Sequence, residues 1–117
     1  YTLTREDVLG CVKFPDAIAR GCYDIDVHNP SGTGTEIMHL PENEYYTIPM
    51  RSLWNPAFSN LIVTGRPISS DHAAHSSLRA SIGEAAGILA AQAVGRMVSN
   101  VPYTEVQARL KAYDALY

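Results

Sequence analysis

The sequence predicts an α+β fold, with a small antiparallel sheet in its first half and a strand, a loop and a long helix in its second half. Three patterns predict this fold. Residues 22–28 alternate between apolar and polar side chains, as half-buried strands do. Tyr45–Ile48 consists of aromatic and β-branched residues, which favour strands. Residues 82–97 carry apolar side chains at the spacing of one helical face.

Length and charge restrict the classes of protein to consider. The chain has 117 residues, which suits a single domain, and its net charge of −3 argues against nucleic-acid binding. No apolar run approaches the roughly 20 residues that span a bilayer. Because the sequence starts at Tyr1 without methionine, we expect a fragment or a processed chain. No signal peptide is visible, which favours a cytoplasmic location unless sequence precedes Tyr1.

The first segment predicts one short helix, and residues 12–21 are ambiguous. Thr4–Asp7 has the pattern of a capping box with an acidic first turn, and it predicts a helix that ends near Gly10. Further along, Pro15 can open a helical turn that carries Ala17–Ala19 and ends at Gly21.

The alternating segment Cys22–His28 predicts a strand that pairs with Glu36–Leu40 across the glycine-rich Ser31–Thr35 loop. Its polar face could form a hard-metal or acid–base cluster, although a solvated outer face is the simpler interpretation. We expect both cysteines to be unpaired thiols, with a disulfide as the alternative. The polar face consists of Asp24, Asp26 and His28, and the cysteines are Cys11 and Cys22.

The second half predicts a strand at Leu61–Val63, a polar loop and the long helix. Ser81–Glu84 reads as a capping box, so the amides of the first turn should point out of the helix and attract negative charge. A stripe of small residues indicates close packing against another surface. Thr104–Gln107 predicts a capping box for a final helix. The apolar stripe of the long helix is Ile82, Ala85, Ala86, Leu89, Ala90, Ala93, Val94 and Met97, and the small-residue stripe is Gly83, Gly87, Ala91 and Gly95.

The loop before the long helix holds the densest polar cluster of the chain. Asp71, His72 and His75 could bind a metal ion, because two histidines three residues apart share one face of a helical turn. A serine hydrolase is a weaker alternative, since it would need a serine on a sharp turn and an oxyanion hole. In the third interpretation, the loop lies beside a cofactor and faces the substrate.

Four segments resemble one protein family. Asn60–Arg79 (NLIVTGRPISSDHAAHSSLR) and Gly83–Val94 (GEAAGILAAQAV) resemble the C-terminal end of bacterial FAD-dependent oxidoreductases of the glutathione-reductase-like fold. Phe14–Gly21 and Tyr45–Leu53 are similar to the substrate-side strands that precede that ending, as is Tyr23–His28. The resemblance implies a substrate-side segment over about residues 1–58. It also implies that the chain returns to the Rossmann-like FAD-binding domain and forms its C-terminal part over about residues 59–117.

The resemblance also implies roles for individual residues. Gly65 and Arg66 would lie beside the flavin, and the start of the long helix would face the pyrimidine edge of its ring. Hydride would move between a small-molecule substrate and the flavin. His72, His75 or Tyr46 would act as acid or base, and an arginine (Arg51, Arg66 or Arg79) would hold an anionic substrate. The implied helix residues are Gly83, Glu84, Ala85 and Ala86, and the implied catalytic residues are Arg51, His72, His75 and Arg79.

The sequence contains no GxGxxG fingerprint for the FAD pyrophosphate, and its nearest match, Ser31–Thr35, reads as a hairpin tip. We therefore expect FAD in the intact protein and an inactive fragment. Two alternatives stay open: an interaction or structural domain, and a polysaccharide-acting protein, because related bacterial proteins sometimes carry names such as xanthan lyase. A homodimer through the small-residue stripe is a further expectation.

Overall fold

A computed structural model describes residues 1–29, 31–71 and 81–117. Within them it shows an α+β fold, as predicted. The helices are α1 (Arg5–Leu9), α2 (Ser81–Gln92) and α3 (Tyr103–Ala112), with short 3-10 helices at Met50–Ser52 and Val98–Asn100. The strands are β1 (Ala17–Gly21), β2 (Ile25–His28), β3 (Thr35–Met38) and β4 (Tyr46–Pro49).

The strands form two separate antiparallel pairs instead of the single small sheet that was predicted. β1 pairs with β4, so that Gly21 lies opposite Tyr46. β2 pairs with β3, with Ile25 opposite Met38. Residues 22–24 lie outside both pairs, so the alternating segment enters its strand only at Ile25. The predicted hairpin across Ser31–Thr35 is therefore confirmed, while the sheet is divided.

The prediction of a helical turn at residues 17–19 is wrong, because these residues belong to β1. Alanine favours helices, but Ala17, Ile18 and Ala19 are all buried, and β4 supplies hydrogen-bonding partners along the strand. The side-chain amide of Gln107 on α3 also donates to the Pro15 and Ala17 carbonyl oxygens, each at 2.9 Å. Tertiary contacts thus outweigh local helix propensity here.

The predicted capping box of α1 is confirmed. The Thr4 hydroxyl accepts a hydrogen bond from the Asp7 amide at 3.2 Å, and the Asp7 carboxylate accepts one from the Thr4 amide at 2.9 Å. These two bonds satisfy amides that a helix start leaves without partners. α1 has five residues, and Gly10 is its C-cap.

The long helix α2 has the predicted buried face but is shorter than predicted. Ile82, Ala85, Ala86 and Leu89 are buried, and the helix packs against α3 and β1. It ends at Gln92 instead of continuing to Met97, and Gly95 has a φ of +77° in the turn that follows. Because this conformation cannot continue a right-handed helix, Val94 and Met97 are exposed, while Ala93 still packs against the core. Val94 is 83% exposed.

Two further predictions in the second half are wrong. Leu61–Val63 forms no strand: the Val63 amide donates to the Leu53 carbonyl at 2.7 Å, but no described strand pairs with this segment. α3 begins at Tyr103 after Pro102, and no side chain caps it, so the predicted Thr104 capping box is absent. Pro102 occupies the N-cap position and has no side-chain oxygen to accept a first-turn amide.

One hydrophobic core joins these elements. Its buried members include Leu3 and Val8 from the N-terminal segment, Tyr46 of β4, Leu89 of α2 and Leu110 of α3. Among the described helices, none has the length and apolar composition needed to cross a membrane.

Candidate functional site

Three of the four predicted catalytic residues, His72, His75 and Arg79, lie outside the described residues. The capping box predicted at Ser81–Glu84 depends on the same segment boundary and is likewise not tested. The described part of the candidate site therefore consists of the Gly65–Arg66 turn, the start of α2 and Arg51.

The Gly65–Arg66 turn has the conformation that the sequence requires. Gly65 has a φ of +69°, a left-handed conformation that glycine adopts without steric cost. The Ile68 amide donates to the Gly65 carbonyl at 3.3 Å, which closes the turn, and buried Ile68 anchors it. Arg66 is exposed and makes no ion pair with any residue in the described ranges. The turn thus presents the Arg66 guanidinium group to solvent.

The start of α2 divides the predicted cofactor-binding residues into two groups. Gly83 and Glu84 are exposed, whereas Ala85 and Ala86 are buried in the core. Since the helix begins at Ser81, the Gly83 amide belongs to the first turn, which has no intrahelical acceptors. The amides of Ala85 and Ala86 lie one turn further along, where helix hydrogen bonds occupy them. Only the first group can face a ligand.

Within the described ranges, no residue covers the small-residue stripe of α2 at Gly83 or Gly87. A Cβ atom added to Gly83 or to Gly87 would meet nothing within 4 Å, and Ala91 is exposed. The close packing predicted for this face is therefore absent among the described residues. Glycine inside a helix costs about 0.5–1 kcal/mol relative to alanine, so two glycines on an open face destabilise α2 without any compensating contact here.

Arg51 makes the acidic pairing that was the simpler alternative to substrate binding. Its Nε atom lies 3.5 Å from Oδ2 of Asp16, and its guanidinium carbon lies 4.7 Å from the centre of the Tyr1 ring and 5.6 Å from that of Phe14. Asp16 is buried, whereas the Arg51 side chain is 46% exposed. Sequence reasoning missed Asp16, because 35 positions separate the partners and no local pattern connects them.

The metal cluster that was the alternative interpretation of Asp24, Asp26 and His28 has no support in the described part of the chain. Within the described ranges, no three histidine, cysteine or acidic residues are placed to hold a metal ion. Asp24 instead accepts hydrogen bonds from the Leu40 amide at 2.8 Å and from the His39 ring at 2.7 Å. These bonds hold the pKa of Asp24 below its usual range. The two cysteines are free thiols, as expected, at Cys11 and Cys22.

An open cleft of about 470 Å³ lies beside Tyr1 and was not predicted. Its volume falls in the range of small-molecule sites. The Tyr1 ring forms part of its wall and also stacks with the Arg51 guanidinium. We call it the aromatic cleft; its apolar lining is Tyr1, Trp54, Phe58, Leu61, Val63 and Pro67.

Comparison with known proteins gives one match. The family described as FAD dependent oxidoreductase matches residues 1–110. Neither the curated proteins nor the solved structures contain a match. Because the family match spans nearly the whole chain, this protein belongs to the FAD-dependent oxidoreductase family.

Proposed function

We propose that this chain is the C-terminal part of an FAD-dependent oxidoreductase of the glutathione-reductase-like fold and that it supplies the surface facing the flavin ring. The family match over residues 1–110 carries the proposal. FAD, when bound, supplies the hydride chemistry, so the residues of the chain have to position the ring, bind the substrate and move protons.

The start of α2 and the Gly65–Arg66 turn fit the ring end of FAD. A flat ring can approach a helix closely only where side chains are missing, and Gly83 and Gly87 leave that face open. The first-turn amides and the positive end of α2 would stabilise negative charge on the ring carbonyls. The exposed Arg66 guanidinium offers a second positive group. We assign the cofactor contact to Gly65, Arg66 and Gly83, with Glu84 beside them.

The hairpin tip does not fit the pyrophosphate end of FAD. Ser31–Thr35 joins β2 to β3, whereas pyrophosphate binding needs a glycine-rich turn that leads into a helix. We therefore propose that sequence outside these 117 residues provides the dinucleotide-binding strand, turn and helix. Of the remaining site residues, we assign proton transfer to His72 or His75 and substrate binding to Arg51 and Arg79.

The proposal is tested by the protein expressed from its complete gene. We expect a yellow protein whose visible flavin absorption disappears on reduction and returns in air. Arg66→Ala should weaken FAD binding, since it removes a positive group beside the ring, whereas Arg109→Ala on the exposed side of α3 should bind FAD as the native protein does. A protein that stays colourless after incubation with FAD would refute the proposal.

The open face of α2 also bears on self-association. When nothing else covers Gly83 and Gly87, a second copy could pack its own glycine face there, since small residues let helix backbones approach closely. We propose a homodimer for the 117-residue chain alone, with sedimentation as the test. A monomer at high concentration would exclude it.

A further inference from the structure

The aromatic cleft and Arg51 together have the features of a binding site for an organic anion. The cleft is open, and its lining combines apolar side chains with the polar residues Thr2, Asn55 and Ser69. Tyr1, one of its lining residues, stacks with the Arg51 guanidinium at 4.7 Å. We propose that the cleft binds a small carboxylic acid with an apolar body and that the Arg51 guanidinium holds the carboxylate. Binding of the acid in the cleft does not depend on the proposed oxidoreductase function. Only the identification of that acid as the enzyme's substrate rests on it.

The guanidinium of Arg51 is held so that its terminal nitrogens remain available. Asp16 contacts it through Nε alone, at 3.5 Å, and also accepts the Arg51 backbone amide at 3.4 Å. Neither terminal nitrogen hydrogen-bonds to any residue of the described ranges. Two parallel N–H groups on one guanidinium match the two oxygens of a carboxylate, which is the geometry that makes arginine the preferred partner of such groups.

The rings around Arg51 restrict its movement. The Tyr1 and Phe14 rings meet edge to face with their centres 5.3 Å apart, and the guanidinium lies within 6 Å of both. Stacking of this kind lowers the number of side-chain rotamers available to the arginine before any ligand arrives. A ligand therefore loses less free energy in ordering the arginine than it would with an unrestrained side chain.

The second carboxylate near this site, Asp7, makes no close ion pair with Arg51 in the described part of the chain. Its Oδ2 atom accepts hydrogen bonds from the Thr4 amide at 2.9 Å and from the Tyr1 hydroxyl at 2.7 Å, so Asp7 is held by α1 and its cap. Asp16 is buried below the guanidinium. A ligand carboxylate can thus approach the exposed side of Arg51 without displacing either acid.

The aromatic cleft explains why the anion should carry an apolar body. Phe58 is 54% exposed and Leu61 is 41% exposed, so large apolar side chains face water at this cleft. Trp54, Val63 and Pro67 extend the same surface. Covering apolar surface contributes roughly 25 cal/mol per Å², which a fully polar ligand would not gain.

Benzoate and benzamide test the inference, because they share a ring and differ in the carboxylate. Trp54 is the only tryptophan of the chain, so its fluorescence reports binding in the cleft. We expect benzoate to quench it in a saturable way and benzamide to bind at least about tenfold more weakly, the ratio expected for one charge-assisted contact. Equal affinity of the unmodified chain for the two compounds, or binding of neither, would overturn the proposal.

Substitutions locate the two halves of the site. Arg51→Gln should lower benzoate affinity to that of benzamide, and Arg51→Lys should lie between, since lysine keeps the charge but loses the two-pronged geometry. Phe58→Ala should lower the affinity for both benzoate and benzamide. Arg109→Gln should leave both affinities unchanged. Benzoate binding that survives Arg51→Gln would overturn the assignment of Arg51. These measurements need no flavin. If the protein binds benzoate as expected but stays colourless with FAD, the proposed oxidoreductase function is refuted and the proposed anion site is not.

Discussion

Gly21 lies directly against the ring of Tyr46 across the β1–β4 pair, and a Cβ atom at Gly21 would lie under 3.0 Å from two ring carbons and the hydroxyl oxygen of that tyrosine. Tyr46 is fully buried, so its ring has no room to withdraw. Glycine at this position is therefore a requirement of packing, although the sequence alone suggested the end of a helical turn.

Gly21→Ala should destabilise the chain by about 1–3 kcal/mol, the usual effect of forcing an extra carbon into a packed core. Gly83→Ala is the matched control, because its added Cβ meets nothing within 4 Å. The control should stabilise the chain by about 0.5–1 kcal/mol, since alanine replaces glycine inside a helix. Urea denaturation measures both free energies, and destabilisation by Gly83→Ala would show that its face is covered.

Much of the fold was predicted from the sequence where local chemistry decides it. The Thr4 cap, the β2–β3 hairpin and the buried face of α2 each follow from residues within one turn or one hairpin. Residues 17–19 were misassigned because their conformation depends on β4, about 30 residues later. Leu61–Val63 has strand composition but no partner strand within the described residues.

The candidate site was less predictable than the fold. The resemblance indicated Arg51, Arg66 and the start of α2, but periodicity could not separate exposed Gly83 from buried Ala85 without the position of the helix start. The Asp16–Arg51 pair and the aromatic cleft join segments distant in the chain, so no local signal could reveal them.

Asp7→Asn should reduce the dependence of stability on pH. Burial raises the pKa of Asp7, but hydrogen bonds from Thr4 and Tyr1 and the charge of Arg51 outweigh it, so the pKa lies below its usual value. A carboxyl group with a lowered pKa stabilises the fold above its unfolded-state pKa of about 3.9 and loses that contribution as the pH falls through the folded-state pKa.

Thermal unfolding between neutral pH and acid measures this effect. The native chain should lose stability toward acid more steeply than Asp7→Asn. Glu6→Gln is the control, because Glu6 lies in the same turn and is exposed. If Asp7→Asn and the native chain show parallel pH profiles, the carboxylate of Asp7 makes no specific contribution to folding.

Removal of the buried hydroxyl groups of Thr47 and Ser52 should affect the stability of the fold differently. The Thr47 hydroxyl accepts the Phe14 amide at 2.8 Å and donates to the Val12 carbonyl at 3.2 Å. The Ser52 hydroxyl is fully buried and has no hydrogen-bond partner among the described residues. Thr47→Val should cost about 1–3 kcal/mol, because it leaves the Phe14 amide unpaired. Ser52→Ala should be neutral or stabilising, and calorimetry of both variants gives the comparison.

The central claim is that the glycine face at the start of α2 receives the flavin ring. It is tested most directly by titrating FAD into the intact protein that carries Gly83→Leu. The open space around Gly83 lets this chain accommodate the leucine, so the fold should remain intact while FAD affinity falls by at least about tenfold. Ala108→Leu, at an exposed position of α3, should leave FAD affinity unchanged. Equal FAD affinity of Gly83→Leu and the native protein would contradict the account.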